Sequence, residues 1–85
     1  MESNALLDAL LEQAGMSHAG LAARVNAAGA ANGLQLRYDH TAVARWLRGQ
    51  CPRSPVPDLI CDIIGERLQR QLTHDDVGLG ARRPV

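Results

Sequence analysis

With 85 residues, the chain is long enough for one domain around one modest core and too short for two. Hydrophobic residues make up 46% of it, which excludes disorder by composition, but Tyr38 and Trp46 are its only aromatics, so the core must be built from Leu, Ile, Val and Ala. The formal charge sums to zero, yet residues 1–23 carry −3, residues 24–53 carry +4 and residues 54–85 carry −1.

A positive middle between acidic ends can steer one face of a domain toward a polyanion. No apolar run approaches the length of a membrane span, and no basic n-region precedes a signal-type stretch. The expectation is therefore a soluble, cytoplasmic protein without a membrane partner. In that compartment Cys51 and Cys61 read as thiols, Cys61 a small core hydrophobe and Cys51 a loop residue.

In chain order, residues 3–14 (SNALLDALLEQA) open with two polar N-cap candidates, Ser3 and Asn4. Leu6, Leu7, Leu10 and Leu11 then form an apolar helical stripe that Gly15 ends. A second helix starts at Ser17, buries Leu21 and Val25, and runs through an alanine-rich stretch to about Asn32, with Gly33 as its C′ residue. The alternation in LQLRY is too short for an independent strand, so residues 34–38 read as an extended connector that tucks Leu34 and Leu36 into the core.

Asp39 caps a third helix over about 40–49, which stops at Gly49. The proline-rich QCPRSPVP is a rigid link, and a fourth helix begins at Ser54–Pro55 or at the Val56–Pro57 step. Leu59, Ile60, Ile63, Ile64 and Leu68 give this helix a broad apolar stripe, whose surplus is a candidate homodimer interface. Thr73 and Asp76 make a capping pattern for a last short helical turn holding Val77, and the tail from Gly78 reads as frayed. The fold class is all-α, with four or five helices.

The third helix carries the functional argument. At roughly 100° per residue, Thr41, Arg45 and Arg48 share one side, while Val43, Trp46 and Leu47 share the other. The basic stripe has no acid at i+3 or i+4 to neutralise it. Arginine forks bind phosphate, or guanine O6 and N7, bidentately. An ordinary amphipathic surface helix with a solvated basic face is the plainer account of the same pattern.

MSHAGLAARVN followed by HTAVARWLRG resembles the second and third helices of Cro/C1-type (XRE-type) helix-turn-helix repressors. The matching features are a polar N-cap, an inward L-A-x-x-V, then an inward aliphatic residue, R-W and a terminal R-G. More narrowly, YDHTAVARWLRGQCPR, VPDLICDIIGERL and LTHDDVGLG resemble the N-terminal domain of a group of actinomycete transcriptional regulators, a likeness reaching from about Leu6 to Gly80.

The resemblance implies a compact helix-turn-helix domain over residues 1–80, a flexible tail at 81–85, and sequence-specific binding of double-stranded DNA by a transcriptional regulator. It makes helix three the recognition helix, with His40, Thr41 and Arg45 at base edges and Arg48 and Arg53 on phosphates. Ser17 and His18 fall where the helix-two N-terminus meets the backbone, and there free N–H groups and the dipole favour a phosphate. Leu21, Val25, Val43, Trp46 and Leu47 become the packing set of the motif.

One departure stands out. A helix-turn-helix connection has about three or four residues, whereas 13 residues separate Val25 from Asp39. Helix two must be longer, or the turn enlarged, or both. The added AAGAANGLQLR also offers Arg37 as a phosphate contact from an arm beside the groove.

No C-x2-C or H-x3-H spacing relates His18, His40, His74, Cys51 and Cys61, and no glycine loop cradles phosphate. Neither a metal, a cofactor, a small-molecule substrate nor a catalytic constellation is expected. The competing class is a helical protein-interaction module whose basic face docks an acidic partner, a reading that the near-neutral charge favours.

Overall fold

Capping chemistry fixes where the helices begin. In the computed structural model, which describes residues 3–79, α1 (Ala5–Ala14), α2 (His18–Ala31) and α3 (His40–Leu47) each start on a side-chain cap. Asn4 Oδ1 accepts the Leu7 N–H at 3.0 Å, and Ser17 Oγ accepts the Gly20 N–H at 2.9 Å. Asp39 accepts from the N–H groups of Thr41 and Ala42. Such caps satisfy donors that the first helical turn leaves without partners. α4 (Val56–Leu68) starts differently: Pro55 stands at its N-cap without a side-chain bond, and Pro57 lies in the first turn.

All four helices close on a left-handed residue, namely Gly15, Gly33, Gly49 and Gln69. α2 thus ends where the sequence places it. α3 is shorter than the expected 40–49, because Arg48 is already its C-cap. No strand forms among the described residues, and the all-α expectation is met by four helices. The capping pattern at residues 73–76 closes a turn rather than a fifth helix. The Thr73 N–H donates to Asp76 Oδ2 at 2.8 Å, and the Asp76 N–H donates back to Thr73 Oγ1 at 3.2 Å. The Thr73 N–H first, and the Thr73 hydroxyl second, stabilise the Asp76 carboxylate and hold the carboxyl below its ordinary value.

α2 packs against both α3 and α4, and α1 bridges the same two helices. Leu7, Leu21, Val25, Val43, Val56, Ile60, Ile64 and Val77 are fully enclosed between them. The apolar surplus of α4 is absorbed within the protomer, where Leu59, Ile60 and Ile64 are buried and Ile63 and Leu68 are half-buried against the core. The one large hydrophobic side chain left exposed among the described residues is Leu6. The radius of gyration, 12.0 Å, matches the roughly 12 Å of a fully packed chain of this length. The long connector therefore does not splay the helices.

Two expectations about loops need correction. Leu36 packs on the core across Gly29, whose missing side chain makes room for it, but Leu34 remains half-exposed and does not join the packing. The segment starting at Gly78 does not fray at its first two residues. Leu79 is buried and its N–H donates to the His74 carbonyl at 2.8 Å, while Gly78 turns with φ of 72° beside Asn4. The proposed tail at 81–85 lies outside the described residues. Asn4 itself joins three elements: besides capping α1, its backbone N–H donates to the Leu47 carbonyl at 2.7 Å and its side-chain amide donates to the Val77 carbonyl at 2.9 Å.

Candidate nucleic-acid interface

The period that buries one side of α3 exposes the other. Val43 and Trp46 are buried and Leu47 is half-buried, while His40, Thr41, Arg45 and Arg48 are exposed. Leu21 and Val25 of α2 are fully buried beneath them, so the expected packing set holds, with Leu47 at its margin. Tyr38 packs edge-on against Trp46, the ring centroids 5.1 Å apart at 72°. This aromatic pair joins the connector to the inner face of α3.

The connector is held by a side chain that the sequence pattern did not single out. Asn26, one residue beyond the buried Val25, donates from Nδ2 to the Tyr38 carbonyl and accepts the Tyr38 N–H at Oδ1, both at 2.9 Å. The amide pairs with the Tyr38 backbone as a neighbouring strand would. It thereby fixes the residue preceding the Asp39 cap, and so the place where α3 begins. One signal was available: an asparagine inside an alanine-rich helix costs helix propensity and needs a compensating partner.

At its other end α3 closes through the Gly49 N–H to the Trp46 carbonyl and the Gln50 N–H to the Arg45 carbonyl, at 3.0 and 3.1 Å. Gly49 has φ of 107°, a left-handed backbone that a side chain would strain. The tight ending returns the Gln50–Arg53 loop alongside the helix. Between that loop, the connector and one flank of α3 lies an open cleft of about 480 Å³. Arg37 lines it from the connector, Thr41 and Arg45 from α3, and Arg53 from the loop.

These guanidinium groups form no ion pair among the described residues. Among the described residues the sole ion pair joins His74 Nε2 to Asp58 Oδ1 at 2.6 Å. The guanidinium groups of Arg24 and Arg67 donate to the backbone carbonyls of Gly20 and Ala14, but those of Arg37, Arg45, Arg48 and Arg53 make no hydrogen bond among the described residues. Asp39, the one carboxylate lining the cleft, is already committed to the start of α3. A second open groove, between α2 and α4, differs in charge: Arg24 and Arg67 there face Asp62 and Glu66.

A family model described as the SP15 N-terminal domain matches residues 7–80. The chain belongs to the SP15 N-terminal domain family. No curated protein and no solved structure matches it.

Within this SP15 N-terminal domain, four of the expected contact residues, Arg37, Thr41, Arg45 and Arg53, meet at the cleft. His40 and Arg48 are exposed at the two ends of α3 and do not line it. Ser17 and His18 are exposed at the start of α2, where Ser17 Oγ already accepts the Gly20 N–H. Gln50 and Cys51, which were not expected in an interface, also line the cleft. Both thiols are free, Cys51 exposed and Cys61 buried. No cluster of three or more metal-ligating side chains forms among the described residues, and no helix is long and apolar enough to cross a membrane.

Proposed function

We propose that this domain binds double-stranded DNA sequence-specifically as part of a transcriptional regulator of the Cro/C1-type (XRE-type) helix-turn-helix kind, with α3 in the major groove. The observation that carries the reading is the division of α3. Thr41, Arg45 and Arg48 are exposed without a carboxylate partner among the described residues, and Val43 and Trp46 anchor the opposite side. A helix held by one face and bearing unpaired arginines on the other suits a groove lined by base edges and flanked by phosphates. Thr41 and Arg45, with His40 at the N-terminal end, read bases. Arg48, Arg53, Arg37 and the N-terminus of α2 set register on the backbone. The 13-residue separation of Val25 and Asp39 is taken up by a longer α2 and by the Asn26-clamped connector, which brings Arg37 beside α3.

Selection of bound sequences from a random duplex pool tests this directly. Recovery of a defined motif supports the reading, and a two-fold symmetric motif would add a homodimer to it. Absence of duplex binding even at low salt sinks it. The zero net charge favours instead a protein-interaction module whose basic face meets an acidic partner. Affinity for acidic peptide with none for duplex would establish that alternative.

A further inference from the structure

We propose that the arginine cleft beside α3 is a binding site for a small phosphorylated anion, and that this anion competes with the duplex for the same guanidinium groups. Only the competition rests on the DNA-binding reading; the anion site stands on its own geometry.

Three features carry it. The cleft measures about 480 Å³, within the roughly 300–1,000 Å³ of small-ligand pockets. Its charge is net positive, because Arg37, Arg45 and Arg53 line it from three separate segments against a single carboxylate, Asp39, whose Oδ1 is occupied by two backbone N–H groups. Planar guanidinium forks bind phosphate oxygens in pairs, and an excess of positive charge in a concavity raises the local concentration of anions. Finally, Ala42 lies on the α3 flank between Arg45 and Trp46, and the small side chain at that position leaves the space open. A duplex backbone needs only outward arginines such as Arg48, whereas an open recess lined by three of them also suits a compact anion.

Trp46 lines the cleft and is the only tryptophan, so its emission reports occupancy. The probe is inorganic pyrophosphate, titrated into the 85-residue protein at constant ionic strength with chloride as the reference anion. Saturable binding below about 1 mM is expected, a free energy of at least about 4 kcal/mol. Arg37→Ala and Arg53→Ala should each weaken it at least tenfold. Arg24→Ala removes the same charge outside the cleft and should change it less than twofold. Ala42→Leu should weaken the response by placing a bulkier side chain in the recess. Should that variant fail to fold, the contrast between Arg37→Ala and Arg24→Ala still decides.

A second arm adds labelled duplex. Displacement of duplex by pyrophosphate at the concentration that saturates the Trp46 signal supports competition. Saturable pyrophosphate binding without duplex binding leaves the anion site standing and removes the DNA reading. Duplex binding without a saturable pyrophosphate response, or equal weakening by all three arginine variants, overturns the inference and leaves the DNA reading intact.

Discussion

Arg45 and Arg48 lie on the same exposed side of α3, but their surroundings differ. Arg45 lines the cleft within the last turn, whereas Arg48 is the C-cap, where the helix gives way to the loop. On the proposed DNA-binding reading, the first reads a base edge and the second meets a phosphate. Arg45→Ala is expected to cost about 1–3 kcal/mol on the selected site and to relax base preference at one position. Arg48→Ala should weaken every duplex alike and flatten the salt dependence by about one released counterion. Anisotropy titrations on cognate and scrambled duplexes separate the two, and equal losses on both for Arg45→Ala would make it a phosphate contact. The two thiols divide as clearly. Burial, and then the charges of Asp58, Asp62 and Asp76, push the Cys61 thiol up from 9.0 to about 11. The folded protein should therefore take up one equivalent of thiol reagent at pH 8, on Cys51, and a second only in denaturant. The sign of the linked stability follows from the raised value. Above pH 9 the unfolded chain releases a proton that the native state keeps, so stability falls as pH rises from 9 toward 11. Urea midpoints across that window should fall less in Cys61→Ala than in the parent.

At the scale of elements, helix ends were readable because their causes are local. Asn4, Ser17 and Asp39 cap within three residues of themselves, and Gly15, Gly33 and Gly49 each sit where a left-handed turn stops a helix. Features set by distant partners were not readable. Leu79 looks like tail in sequence but is buried in the fold, and Asn26 acts on Tyr38, 12 positions away. Leu34 and Leu36 have the same local pattern, yet only Leu36 finds a gap, over Gly29. Asn26→Ala removes both bonds to Tyr38, which should cost about 1–3 kcal/mol of stability. It should also speed hydrogen exchange at the Thr41 and Ala42 amides, which depend on the Asp39 cap. Unchanged exchange there would mean that the connector is held without Asn26. Gly65 offers a second test. It is buried inside α4, and a Cβ at that position would lie 2.6 Å from the Arg70 carbonyl oxygen, which is backbone and cannot rotate aside. Gly65→Ala should destabilise by about 1–3 kcal/mol through overpacking, despite the roughly 1 kcal/mol gained in helix propensity. A raised thermal midpoint would show that the C-terminal segment yields freely.

For the whole molecule, the zero net charge conceals the arrangement that matters to a polyanion. Of the +4 of residues 24–53, Arg37, Arg45, Arg48 and Arg53 belong to α3 and the segments flanking it, against Asp39 alone, so approach by the α3 side is attractive, while Arg24 faces Asp62 and Glu66 in the other groove. Weak long-range attraction with firm local contacts gives a moderate salt slope. With Arg37, Arg48 and Arg53 as phosphate contacts, the slope of log K against log salt should be about −3 for one protomer, roughly a fortyfold loss between 50 and 200 mM. Two protomers on a two-fold site would double it to about −5 or −6. Most of the apolar stripe of α4 is covered within the protomer, with Ile63 and Leu68 left half-buried at its edge, so little of that stripe remains for a second copy. Measuring the slope together with protein-to-duplex stoichiometry distinguishes these cases. A slope near −3 at one protein per site fits the monomeric module, and one near −6 at two per site fits a pair. A slope shallower than −1 would mean that the guanidinium groups around α3 do not meet phosphates, and the basic face would then belong to some other partner.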